Sequence, residues 1–273
     1  MNEAGGLVGV VRSPTMTTMT STVSYEQNGT LAVLRLDKAR GNAIDAALVE
    51  DLARLARQVT EDDGVRGVLL ASAHPKLFCP GLDLVSLMDH DRTAMRQFMG
   101  RFAETLWALY GLRKPVVAAV SGHAVAGGCI LALTADLRVL RRTGAQMGLN
   151  EVRLGVPLPW SVALLVRATV PPASFVPVAL LGRNFEGEEA LAAGLVDALA
   201  DTEGFEAACL ARLEELAEKD TFALGTTKLY LRAGILDQMR AREGQALEEF
   251  LDAWFSEATR QRMRQTLESL KAR

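Results

Sequence analysis

"PVVAAVSGHAVAGGCILALTADLRVLRR", residues 115–142, contains a short apolar β-branched run, a turn ending in two glycines, a helical stretch and a second apolar run. Read in that order it is strand, turn, helix and strand, a unit whose two strands lie parallel with the helix packed across them. Upstream, "VRGVLLASA" (65–73) reads as another strand buried on both faces, and "RTAMRQFMGRFAETLWALYGL" (92–112) as a helix stopped by Gly111 and then Pro115. "NAIDAALVEDLARLARQVTED" (42–62) sets Ile44, Leu48, Leu52, Leu55 and Val59 at helical spacing. "TVSYEQNGTLAVLRLDK" (22–38) places two strand-like runs, 22–27 and 30–36, around Asn28-Gly29, a hairpin signal. The pattern predicts an α/β fold with a mostly parallel sheet flanked by helices.

After about residue 158 the character changes to helix, punctuated by Pro171-Pro172 and Gly182. The chain divides into a flexible N-terminal tail over 1–22, a core over 23–200 and a helical region over 201–273, with Met16 or Met19 as alternative starts. The last segment, from 244 onward, carries apolar stripes with Trp254 and Phe255, which implies packing on the core or on another subunit.

The 273 residues, 49% hydrophobic and 23% charged with a net charge of −3, describe an ordinary globular chain with nothing that recommends nucleic acid as a partner. No apolar run approaches a membrane span, and no membrane partner is expected. Cys79, Cys129 and Cys209 lie far apart and outside any C-x-x-C pattern, and His74, His90 and His123 fit no ligand spacing. No metal is expected, and a reducing cytoplasm suits the cysteines.

Two glycine-containing turns each follow a strand: "KLFCPGLDL" (76–84) and "SGHAVAGGCIL" (121–131). Neither matches a nucleotide-binding glycine pattern. Loops at the ends of neighbouring parallel strands are where a ligand crevice forms. One reading is a two-donor oxyanion hole, with the N–H of Leu82 after Gly81 and the N–H of Gly127 at a helix start. The other is that these glycines only punctuate turns.

Together "FCPGLDL", "AVSGHAVAGGCILALTADLRVL" and "MGLNEVRLGV" resemble the crotonase (enoyl-CoA hydratase/isomerase) superfamily, from about residue 23 to the C-terminus. The resemblance implies a fold of repeated ββα units with a C-terminal helical trimerisation region, an acyl-CoA substrate, and a homotrimer or a hexamer built as a dimer of trimers. It makes Leu82 and Gly127 the oxyanion-hole amides. Of the two glutamates that hydratases of the family use, one position is filled here by Ile130 and the other by Glu151. The "GLDL" loop, "AGGC" followed by an aliphatic residue, "GLNE" and the pair Pro159-Trp160 are closest to mitochondrial-type Δ3,Δ2-enoyl-CoA isomerases, while Pro80 departs from the frequent alanine.

Hydration divides its work between two carboxyl groups, whereas moving a double bond from C3 to C2 needs one. The C2 proton of a 3-enoyl thioester is allylic and α to the carbonyl. Its removal gives a dienolate whose charge gathers on the thioester oxygen, and the same base returns the proton at C4. Glu151 is therefore expected as catalytic base and acid in fatty-acid metabolism, with no cofactor beyond the CoA carried by the substrate. Leu84, Met88, Ile130, Leu154 and Trp160 are candidate acyl-tunnel residues, equally explicable as core, and Lys271 is a candidate for a CoA phosphate. Alternatives are a hydratase-like or polyketide-type enzyme acting on a carrier-bound acyl chain, and a non-catalytic acyl-CoA binding subunit.

Overall fold

The computed structural model of the protein describes residues 21–39 and 41–271, with only the backbone for the last two of these. Most of the expected N-terminal tail therefore lies outside the described residues. Strands β1 (Val23–Asn28) and β2 (Leu31–Leu36) form the expected hairpin, but its register sits one residue later than the sequence suggests. Asn28 pairs with Leu31, so the two turn residues are Gly29 and Thr30, with Gly29 at φ +61° in the first turn position.

Helix α1 (Ala46–Glu61) starts at Asp45, whose carboxylate accepts the N–H of Leu48 at 3.1 Å. Ile44, expected as part of that helix's stripe, precedes it instead. Its backbone bridges the first glycine loop, donating to Gly81 O and accepting from Asp83 N, both at 2.8 Å. The chain continues through β3 (Gly67–Ser72), β4 (Leu77–Cys79), a single turn α2 (Leu84–Leu87) and α3 (Arg92–Tyr110), which ends at Gly111 as expected. Next come β5 (Val116–Val120), β6 (His123–Val125), α4 (Gly127–Leu133), β7 (Leu137–Arg141) and β8 (Gln146–Gly148). They are followed by α5 (Glu151–Leu154), α6 (Trp160–Thr169), β9 (Asn184–Glu186), α7 (Gly187–Ala192) and β10 (Ala198–Ala200). Three longer helices close the chain: α8 (Phe205–Ala217), α9 (Thr221–Phe255) and α10 (Glu257–Lys271).

Two sheets result. The larger has the order β1-β2-β3-β5-β7-β10, parallel except for the hairpin. Its side chains alternate between two cores, as period-two geometry requires. Leu34, Leu70 and Ala118 face the large core shared with α1 and α3, while Val33, Leu69 and Val117 face a smaller core closed by Cys209 and Leu213 of α8. This is the two-sided burial read from the unbroken apolar runs.

The smaller sheet has the order β4-β6-β8-β9, and β4, β6 and β8 run parallel. Sequence reading missed it entirely. Its strands are three residues each, too short to show a period. It nevertheless positions the site, because the C-terminal ends of three neighbouring parallel strands share one edge. Pro80-Gly81-Leu82 follow β4, Ala126-Gly127 follow β6, and Leu149-Asn150-Glu151 follow β8.

Candidate active site

The three strand ends open onto a cavity of about 450 Å³. Leu82, Leu84, Gly127, Ile130, Glu151 and Leu154 all stand on its wall. Two expected members do not. Met88 caps the end of α2, and its side chain packs against the large core. Trp160 points its indole N–H at the carbonyl of Gln238, 2.9 Å away, and its ring is covered by the Arg242 guanidinium at 4.7 Å, so its neighbour Pro159 reaches the cavity instead. The side chain of Lys271 lies outside the described residues.

The first loop is held by its backbone. Gly81 sits at φ +103°, a conformation that favours glycine, and the peptide groups on either side of Leu82 are locked to Ile44. That arrangement occupies Gly81 O and Asp83 N and leaves the N–H of Leu82 with no acceptor among the described residues. The second loop reaches α4 through Ala126, which carries φ +50°, a strained value for a residue with a Cβ. Ala126 is fixed there by donating to Gly148 O at 2.9 Å and accepting from Ile130 N at 3.0 Å. Close approach then demands a glycine: a Cβ on Gly128 would stand 1.9 Å from the carbonyl oxygen of Cys79. Loops from β4 and β6 are thus in backbone contact, with the Gly127 N–H at the helix start.

Glu151 opens α5 from the end of β8 and is 7% exposed. Its Oε2 has no hydrogen-bond partner among the described residues. Burial pushes its carboxyl up to about 7, and its own backbone N–H pulls weakly the other way. Burial and then the Glu151 charge push the Cys129 thiol, in the first turn of α4, well above its ordinary range. Ile130, 3% exposed, lies in the same turn.

Asp83 is the other carboxylate on the cavity wall, and it is engaged. Oδ1 accepts the N–H of Val85 at 3.1 Å, capping α2, and Oδ2 pairs with Lys38 at 3.5 Å. His123 has a buried Nδ1 without a partner but is not on the cavity wall. Among the described residues no group of three His, Cys, Asp or Glu side chains is placed to hold a metal ion.

The C-terminal helices complete the enclosure with residues that sequence reasoning did not place there. Phe250 and Trp254 of α9, and Thr266 and Leu267 of α10, line the cavity. The apolar stripe around Trp254 signalled packing, but not against what.

The loops that carry the Leu82 and Gly127 N–H groups and the buried carboxylate of Glu151 thus line one largely apolar cavity. The chain belongs to the enoyl-CoA hydratase/isomerase family, whose model matches residues 26–273. It is similar to human mitochondrial enoyl-CoA delta isomerase 1, with 25% identity over 242 residues, 88% of this chain and 80% of that protein. The crystal structure of human mitochondrial Δ3-Δ2-enoyl-CoA isomerase covers 92% of this chain and 98% of its own, with a TM-score of 0.85 and 25% identity. Carnitinyl-CoA dehydratase of Escherichia coli K12 is 31% identical over 179 residues, 66% of this chain and 68% of that protein. The protein is therefore a crotonase-fold enzyme of the hydratase/isomerase type. No helix among the described residues is long and apolar enough to cross a membrane.

Proposed function

We propose that the enzyme moves the double bond of a 3-enoyl-CoA to the trans-2 position. The observation that carries this reading is Ile130. It puts a buried aliphatic side chain in the first turn of α4, on the same cavity wall as Glu151, whose Oε2 has no partner among the described residues. Adding or removing water, as the name of the dehydratase relative describes, divides acid and base work between two groups. Here Asp83 is committed to Lys38 and to the start of α2.

In this mechanism ionised Glu151 takes a C2 proton and the C2–H electron pair moves into the adjacent C1 carbonyl, placing the charge on the thioester oxygen of a dienolate conjugated with the C3–C4 double bond. The N–H groups of Leu82 and Gly127 hold that oxygen, and protonated Glu151 returns its proton to C4, leaving the double bond between C2 and C3. Atoms and charge balance without a metal or redox partner. A raised carboxyl pKa brings the base closer to the weakly acidic carbon it must deprotonate. Ile130 keeps water from competing for the dienolate.

Turnover of 3-hexenoyl-CoA against hydration of crotonyl-CoA tests the reading. Isomerisation is expected to be the faster by orders of magnitude, with Glu151→Gln abolishing most of it while acyl-CoA still binds. Hydration faster than isomerisation would overturn it, and binding without α-proton exchange in D₂O would make the chain an acyl-CoA binding subunit. The same reading places the enzyme in the cytoplasm, acting as a homotrimer or a dimer of trimers. Exposed Phe222, Tyr230 and Leu231 on α9 offer an apolar surface for subunit packing.

A further inference from the structure

Two residues on the cavity wall carry a buried polar atom that the isomerisation does not use and that has no partner among the described residues: Asn150, whose Oδ1 is an acceptor beside Glu151, and Trp254, whose Nε1 is a donor. Trp254 is 1% exposed and stands on the wall contributed by α9, yet its indole Nε1 has no acceptor among the described residues. The ring is not free to turn away. It stacks on Phe250, centroids 5.8 Å apart and planes 27° from parallel, and Phe250 lines the same cavity. A buried donor left unpaired costs stability, and a phenyl ring would fill such a wall without that cost. The wall beside it is not wholly apolar either. On α10, Thr266 also lines the cavity, and its hydroxyl donates to Arg262 O at 2.9 Å while its oxygen keeps acceptor capacity.

Trp254 stands on the C-terminal helical wall, whereas Leu82, Gly127 and Glu151 come from the strand ends of the smaller sheet. A thioester gripped by the two loop amides sends its acyl chain away from them into the remaining cavity. Besides Asp83, Asn150, Glu151 and Thr266, that space is lined by apolar residues such as Leu84, Met99, Phe102, Leu154 and Val156.

Resting on the acyl-thioester reading above, we propose that Trp254 is a specificity-determining residue whose indole N–H donates to an oxygen carried on the acyl chain. The substrate class is then an oxygen-substituted enoyl thioester, bearing a hydroxyl, keto or ether oxygen beyond the migrating double bond. A site built to hydrogen-bond such an oxygen discriminates strongly against the chain that lacks it, because the donor stays buried and unpaired.

The test is an oxygen walk. Saturated decanoyl-CoA is compared by calorimetry with analogues in which an ether oxygen replaces one methylene at each position from C5 to C9. Saturated ligands report on the donor whether or not isomerisation occurs, so failure of the isomerase reading leaves this test standing. One position is expected to bind about tenfold tighter than the plain chain, the worth of one neutral hydrogen bond. That preference should fall to about one in W254F, and likewise when the indole is replaced site-specifically by benzothienylalanine, which keeps the ring area and lacks the N–H. Binding of the plain chain should change much less in the benzothienyl protein. If no oxygen position outbinds the plain chain, or if the preference survives both replacements, the proposal is wrong. A crystal structure of the preferred analogue with its oxygen beyond 3.5 Å from Trp254 Nε1 would overturn it as well.

Discussion

Gly81 and Gly127 lie against each other: a Cβ added to Gly81 would come within 3.2 Å of the Gly127 nitrogen and 2.9 Å of the Ala126 Cβ. The two amides that define the proposed oxyanion hole are thus set by one backbone contact between the β4 and β6 loops. Gly81→Ala should disturb both, since φ +103° is also unfavourable for alanine. The expected cost is roughly 1–3 kcal/mol of stability from strain. Turnover should fall by about 10² to 10³, the effect of one lost oxyanion donor. Thermal unfolding and kcat/KM for 3-hexenoyl-CoA measure the two effects separately.

Glu151 ties activity and stability to pH in opposite directions. Its carboxyl stands at about 7 in the folded chain against an ordinary 4.5, so the folded state holds the proton more tightly than the unfolded one. The stability contributed by the protonated group is complete below about pH 4.5 and is lost as pH rises through about 7. Above that range the ionised carboxylate costs on the order of 3 kcal/mol. Glu151→Gln should therefore melt higher than the native enzyme at pH 8 and show no such advantage at pH 4. Activity of the native enzyme should instead rise to a plateau as pH passes about 7, because the base must be ionised. The glutamine variant should lose about 10² to 10⁴ in turnover. A Tm difference independent of pH would exclude the buried charge as its source.

The inner strands of the larger sheet were legible because they are apolar on both faces, as at Val68–Leu70 and Val116–Val120, and α3 ends on the signal Gly111, whereas the three-residue edge strand β10 fell in a stretch read as helical. The smaller sheet was not legible. Leu77–Cys79, His123–Val125 and Gln146–Gly148 are too short for a period, and their pairing is decided by long-range contact. The glycines at 81 and 127 marked the loops, but only the shared edge of β4, β6 and β8 explains why Glu151 joins them. Trp160 misled because its ring is apolar by type, and nothing local shows that Gln238 and Arg242, some eighty residues later, engage it. Trp254 was noticed as apolar mass, and its cavity position depends on how α9 returns across the site.

Ile130 is the residue on which reaction type turns. Ile130→Glu places a second carboxylate in the first turn of α4, where the Glu151 charge is already felt by Cys129. Like charges in a buried site push one carboxyl further up, so Glu151 should be less ionised at pH 7. Isomerisation at pH 7 should drop at least tenfold and its pH profile should shift upward. Hydration of crotonyl-CoA, which the isomerase reading expects to be negligible in the native enzyme, should become measurable. The variant should also melt lower, because a charged group replaces a side chain that is 3% exposed. An unchanged pH profile in a folded variant would show that position 130 does not communicate with the base.

Helix α9 begins with an apolar surface that no part of the described chain covers. Phe222, Tyr230 and Leu231 are 74, 78 and 72% exposed, with Tyr230 opposite the buried Gly225 and Lys228 and with Phe222 and Leu231 on the two flanks of the helix. Lys228 pairs with Asp136 at 2.6 Å and Arg232 with the same carboxylate at 2.8 Å, so this stretch of helix is anchored on its inner side and holds its outer side rigid. A rigid apolar surface of that kind is what subunit packing uses, and large exposed aromatic residues dominate such contacts. Replacing Tyr230 and Leu231 together with glutamate puts like charges where three copies would meet. Light scattering should give a mass of three or six chains for the native enzyme and a shift toward one chain for the double variant. Because neither Tyr230 nor Leu231 lines the cavity, the variant's loss should appear first as lowered Tm, with kcat for 3-hexenoyl-CoA reduced less than in Glu151→Gln. A native enzyme that runs as a single chain would show that this face serves something other than self-assembly.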